Sequence, residues 1–161
     1  VSFTFSKSFG APTIPLNGST TLAFQISRDA VSGPETGIQF TDTLPAGLIV
    51  STPNGLTGAC GAGSTVTAAA GGGSVALAGG QLAAGATCNF QVSVTGTTPG
   101  LKSNVTSILN SSGGSAPAAT ASLTVLAGTT ASVPTLSEWA LLLLTSLVAG
   151  SALLKFRRCP R

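Results

Sequence analysis

The sequence predicts an all-β fold, an immunoglobulin-like antiparallel β-sandwich followed by a single C-terminal transmembrane helix. Two observations carry the sandwich. Apolar–polar alternations of period two recur every 8–15 residues or so between Val1 and Val125, separated by glycine- and proline-rich turns, which is the pattern of a many-stranded antiparallel domain. No helical period appears before Leu136. A third observation carries the helix: from Trp139 to Leu154 there is neither a charged residue nor a proline.

The strands can be placed in order. Val1, Phe3 and Phe5 alternate with Ser2 and Thr4, a half-buried strand. Residues 7–18 hold Gly10, Pro12, Pro15 and Asn17-Gly18 and read as a turn-rich connection. Residues 20–27 place Leu22, Phe24 and Ile26 on one face, and residues 28–37 read as a polar loop around Gly33-Pro34. Ile38 and Phe40 then share a face, and Pro45 and Gly47 mark a turn before a strand at residues 48–51. Residues 53–63 are irregular and contain Cys60. Short strands are expected at 65–69 and 74–77, around Gly71-Gly72-Gly73, and a turn at 79–85. Cys88, Phe90, Val92 and Val94 give the cleanest alternation. Residues 97–100 turn, 101–109 form a strand, 110–117 a loop and 119–125 the last strand. The immunoglobulin Cys…Trp…Cys spacing is absent, so the likeness is one of architecture, with a closed barrel as the competing form. The domain occupies residues 1–126, a small-residue linker 127–132, and a distinct tail 133–161.

The net charge of +3 belongs to the tail. Lys155, Arg157, Arg158 and Arg161 lie there; upstream, the three cations Lys7, Arg28 and Lys102 face the four acids Asp29, Glu35, Asp42 and Glu138. No basic patch exists in the domain, so nucleic acid is excluded as a partner. Charged residues are only 7% of the chain, against roughly 25% in ordinary globular domains. Serine, threonine, asparagine and glycine carry the solubility, which suits an extracellular β-module. The chain has no Met and opens inside a strand without an export signal, so further sequence is expected upstream of Val1.

Cys60 and Cys88 are expected to pair as a disulfide in an oxidising compartment, while Cys159 lies at the basic end. The absence of His and Tyr removes Ser–His and Cys–His arrangements, and no catalytic residue, metal site or cofactor is assigned. Asp29, Glu35 and Asp42 read as solvated loop carboxylates, with Ca²⁺ ligation as the competing reading. Asp42 is expected to hold backbone donors of the turn after it. Gly71-Gly72-Gly73 reads as a hairpin tip, lacking the lysine and helix of a phosphate loop. N-x-S/T patterns at Asn17, Asn104 and Asn110 read as exposed segments.

The tail has three parts. Pro134 ends any preceding strand, and Thr135 with Glu138 fits a capping box. As a helix, Trp139 to Leu154 spans roughly 24 Å, against about 30 Å of hydrocarbon. Leu136 and Phe156 extend it, and Lys155 can snorkel. Trp139 takes an interfacial position, and Lys155, Arg157 and Arg158 form a basic stop that places the C-terminus in the cytoplasm and the domain outside.

The string Val133-Pro134-Thr135-Leu136-Ser137-Glu138-Trp139, then a leucine-rich helix and Arg157-Arg158, resembles the IPTL-CTERM protein-sorting signal of Gram-negative bacteria. It departs from that pattern at Val133, where isoleucine is usual, and in the added Cys159-Pro160-Arg161. The resemblance implies an exosortase-type sorting enzyme as partner, with Val133–Trp139 as the motif that enzyme reads. A second resemblance rests on Phe5-Ser6-Lys7-Ser8-Phe9, on Thr41-Asp42-Thr43-Leu44-Pro45-Ala46-Gly47-Leu48 and on Leu82–Cys88. These are similar to repeat-type modules of unknown function in bacterial surface proteins, which implies tandem neighbours or cell-surface polymers as partners.

Together these predict a non-enzymatic, structural or adhesin-like surface module. It is exported, anchored first in the inner membrane, and then passed to the cell surface. The competing reading is a carbohydrate- or Ca²⁺-binding module at the loops 28–35 and 52–63, held permanently by its helix.

Overall fold

Residues 3–128 and Leu143 are described by the computed structural model of the chain. The chain divides into two units, residues 1–128 and 129–161. The sorting motif Val133–Trp139 and the basic stop lie outside the described residues, as does the expected span apart from Leu143, whose backbone is helical. No helix among the described residues is long and apolar enough to cross a membrane.

Within residues 3–128 the described strands are β1 (Phe3–Phe9), β2 (Thr13–Pro15), β3 (Ser19–Arg28), β4 (Glu35–Thr43) and β5 (Leu48–Val50). Then follow β6 (Thr57–Ala59), β7 (Thr65–Thr67), β8 (Ser74–Leu82) and β9 (Thr87–Gly96). The last four are β10 (Gly100–Val105), β11 (Leu109–Ser111), β12 (Gly114–Ala116) and β13 (Thr120–Leu126). One sheet runs β1-β3-β9-β5 with β6 also on β9; a second runs β12-β11-β4-β8-β7; β10-β13-β2 forms a third ladder. Every pairing is antiparallel except β13 with β2.

The core lies between the first two sheets. Period two turns Leu22, Phe24 and Ile26 of β3 inward beside Cys88, Phe90, Val92 and Val94 of β9, all buried. Phe24 pairs directly with Phe90 across the ladder, their rings 5.0 Å apart. Phe40 of β4 reaches over from the opposite sheet to Phe24 at 5.2 Å, Phe90 at 6.1 Å and Phe5 at 4.6 Å. Offset and tilted ring contacts of this kind add to plain area burial. The outer face of β3 and β9 is laced by uncharged pairs: Ser19 with Thr95, Gln25 with Asn89, Ser27 with Thr87. These cross-strand hydrogen bonds replace the charges a soluble surface usually carries.

The structure departs from the sequence expectation in several segments: residues 35–37, expected in a loop, open β4, and residues 57–59, expected to be irregular, form β6. Residues 7–9 and 13–15 belong to strands, not to a connection. Residues 79–82, expected to turn, continue β8. Gly79 (φ 66) sits where the β4–β8 register shifts, so a glycine that signals a turn here permits a bulge. Residues 110–117 hold the β11–β12 hairpin. The single strand expected at 101–109 breaks after Val105, because the chain changes sheets there: β10 pairs with β13 while β11 pairs with β4. At the crossing, the Thr106 amide donates to the Ala119 carbonyl and the Ala119 amide to Thr106 Oγ1, while the Ser107 amide donates to the Thr41 carbonyl and the Thr41 amide to Ser107 Oγ.

Candidate functional site

Of the three carboxylates expected in solvent, Glu35 and Asp42 are buried, and so are Lys7, Arg28 and Lys102. In β1 the inward phase is Phe3, Phe5, Lys7 and Phe9, so Lys7 occupies an apolar register position and is buried. In β4, Asp42 follows Ile38 and Phe40 on the inward face. In β10, Lys102 and Asn104 face inward between exposed neighbours.

Three of these residues meet. Lys7 Nζ donates to both oxygens of Asp42, at 3.1 and 3.2 Å, and Asn104 Nδ2 donates to Asp42 Oδ2 at 3.0 Å. The Lys7 and Asp42 side chains have no solvent exposure at all. Asn104 is 1% exposed, and its Oδ1 is buried without a hydrogen-bond partner among the described residues. Burial holds the Lys7 amine below its usual value, only partly offset by Asp42; burial likewise pushes the Asp42 carboxyl up, against the attraction of Lys7. The expectation that Asp42 serves the following turn, and the expectation that Asn104 is exposed, are both overturned.

A second buried pair closes the other end of β4. Arg28 Nη1 lies 3.1 Å from Glu35 Oε2, and Arg28 Nε donates to the Gly33 carbonyl at 2.6 Å. Glu35 Oε1 accepts from Ser112 Oγ and from the Gly113 amide, each at 2.5 Å. The Ser112 hydroxyl, followed by the Gly113 amide and Arg28, holds the Glu35 carboxyl below its usual value despite burial. The guanidinium also lies over the Phe3 ring, 5.0 Å from its centroid. Arg28 and Glu35, at the two ends of segment 28–35, are therefore turned inward and paired with each other. Lys102 Nζ is held by Thr98 Oγ1 at 2.7 Å and the Ala46 carbonyl at 3.1 Å. The Ser32 hydroxyl, followed by the Ser32 amide that donates to Asp29 Oδ1, holds the Asp29 carboxyl below its usual value.

Asp29, Glu35 and Asp42 thus serve three separate places, and no group of three His, Cys, Asp or Glu able to hold a metal occurs among the described residues. Cys60 and Cys88 are joined as a disulfide, their Cα atoms 5.0 Å apart, tying the segment after β6 to β9. On the outer face of β1, β3, β9 and β6 lies a depression of about 540 Å³, lined by Ser6, Ser8, Gln25, Asn89, Gln91 and Thr57 among others. The sequence reading missed both the buried triad and this face. The signal for the triad was present in the phase: Lys7 in step with three phenylalanines, Asp42 in step with Ile38 and Phe40.

The fold is similar to several solved structures at low identity. A non-cellulosomal cohesin from Archaeoglobus fulgidus aligns with a TM-score of 0.53 and 13% identity over 76% of this chain and 91% of that one. A cohesin module from a Clostridium perfringens family 33 glycoside hydrolase aligns with a TM-score of 0.52 and 9% identity, over 79% and 100%. A major pilin subunit of Bacillus cereus aligns with a TM-score of 0.56 and 11% identity, over 80% of this chain and 41% of the pilin. No curated protein matches the chain. The IPTL-CTERM motif matches residues 131–158. The family model described as domain of unknown function DUF7933 matches residues 4–125, most of the chain, and the protein belongs to that family.

Proposed function

We propose that this chain is a non-enzymatic structural module of a bacterial cell surface, delivered by its C-terminal signal. The observation that carries the reading is the direct succession of a β-sandwich, ending at Leu126, and an IPTL-CTERM motif beginning at residue 131. In this reading Val133, Pro134, Thr135, Leu136, Ser137, Glu138 and Trp139 are read by an exosortase-type enzyme. Trp139 to Leu154 holds the chain in the membrane during that step, with Lys155, Arg157 and Arg158 on the cytoplasmic side. The uncharged, hydrogen-bonded exterior and the Cys60–Cys88 bridge suit a module that works outside the cell.

The test is C-terminal peptide mapping of the protein recovered from the bacterial envelope. A terminus near residues 133–136 supports sorting and cleavage. Recovery of an intact Trp139 to Arg161 segment replaces it with a permanently anchored protein.

The depression on the outer face favours a ligand-binding reading as the alternative. Its amides and hydroxyls suit a hydroxyl-rich glycan, and binding of cell-surface polysaccharide that is lost in Gln25→Ala and Gln91→Ala variants is its test.

A further inference from the structure

Lys7, Asp42 and Asn104 hold the three chemical groups of an amide exchange: an amine, a carboxamide and a carboxyl between them. Both nitrogens bond the same oxygen, Asp42 Oδ2, at 3.2 and 3.0 Å. That places Lys7 Nζ next to the Asn104 carboxamide with one carboxyl spanning the two. All three side chains are buried, on three different strands, and the Asn104 carbonyl oxygen has no partner among the described residues. A buried ion pair is a weak source of stability. An orphaned carbonyl beside it makes a purely structural role weaker still.

We propose that Lys7 and Asn104 join through an intramolecular isopeptide bond, formed by the folded chain itself with Asp42 as the proton carrier. The Lys7 amine attacks Cγ of Asn104, forming the Nζ–Cγ bond. Asp42 accepts a proton from Nζ and delivers one to Nδ2. The Cγ–Nδ2 bond then breaks and ammonia leaves. One amide replaces another, no electrons are transferred, and the Asp42 carboxyl ends in the state in which it began. Rotation of the Asn104 amide would bring Oδ1 to the protonated carboxyl, which polarises the carbonyl for attack.

Three features of the fold favour the reaction. Burial shifts Lys7 and Asp42 toward the neutral amine and neutral acid, the reactive forms. Fixed strands hold the groups together, which converts a slow bimolecular condensation into an intramolecular one. Enclosure keeps out the water that would hydrolyse the intermediate. The second buried lysine, Lys102, instead has its ammonium held by Thr98 and the Ala46 carbonyl.

The proposal is tested on the reduced, folded full chain by intact mass and tryptic mapping. The expected mass is about 17 Da below that of the sequence, the loss of one ammonia. Acylated Lys7 resists trypsin, so peptide 1–28 should appear joined to peptide 103–155. The folded Asp42→Asn variant should lose the link. A folded chain at its full sequence mass overturns the proposal. A loss of about 18 Da, with peptide 1–28 joined to 29–102, assigns the bond to Asp42 and overturns the pairing with Asn104. A link that persists in folded Asp42→Asn overturns the role given to Asp42.

Discussion

Arg28 and Glu35 meet 3.1 Å apart, with both side chains 4% exposed, where β3 ends and β4 begins. The turn at Ser112 and Gly113 completes the shell of Glu35, so one carboxylate fastens three parts of the chain.

The first prediction concerns acid. The Glu35 carboxyl is held below its usual value, chiefly by Ser112. Its stabilising effect is therefore full above the ordinary carboxylate range and is lost as pH falls through the lower folded-state value. Asp29 acts in the same sense, and Asp42, pushed up by burial, acts in the opposite one. Thermal melts between about pH 7 and pH 3 should show Tm falling toward acid. Glu35→Gln should have a lower Tm at neutral pH and a flatter profile. A wild-type-like slope in that variant would assign the acid response elsewhere.

The second concerns the aromatic layer. Phe40 touches the rings of Phe5, Phe24 and Phe90 and is the point where the two sheets meet. Phe40→Ala should destabilise by about 3–5 kcal/mol. Urea unfolding checks it, with an unchanged m-value indicating that the loss is one of packing.

The third concerns the disulfide. Cys60 and Cys88 are 28 residues apart in sequence, and closing a loop of that size is worth about 3–4 kcal/mol in the chain-entropy account. Reduction, or the Cys60→Ser/Cys88→Ser double variant, should lower Tm clearly. An unchanged melt would mean the bridge adds nothing to the folded domain.

The fourth concerns delivery. Replacing Arg157 and Arg158 with Glu removes most of the basic stop. The envelope-recovered, C-terminally processed fraction should fall sharply, as read by immunoblot of fractionated cells. Normal processing would separate the signal from its charges.

Much of the sandwich was legible because alternation reports burial directly. Leu22, Phe24 and Ile26, and Cys88 through Val94, announced β3 and β9 and their inward faces. Pairing was harder, since three-residue strands such as β2, β6, β11 and β12 carry no period of their own and exist only through a neighbour. Gly79 misled because the residue that makes a turn also makes a bulge. The buried triad was missed for a different reason. The connection expected over residues 7–18 took Lys7 out of the strand, yet Lys7 keeps the phase of Phe5 and Phe9, and the cost of burying it is partly met by a partner 35 residues away. No local pattern names that partner. The sorting motif, by contrast, was legible from a short string, since the IPTL-CTERM motif matches where Pro134-Thr135-Leu136 stands.

The parallel pairing of β2 with β13 has a mechanical meaning. Thr13–Pro15 runs beside Thr124–Leu126 in the same direction, and the Pro12 carbonyl takes the Thr124 amide. Suppose tension is applied between the chain before Thr13 and the chain after Leu126. It drags the two neighbours in opposite senses along their common axis. Their hydrogen bonds then lie across the pull and share the load, so they must fail together and not in sequence. A module stretched end to end by its own attachment would resist as a sheared joint resists, where a peeled one would open a bond at a time.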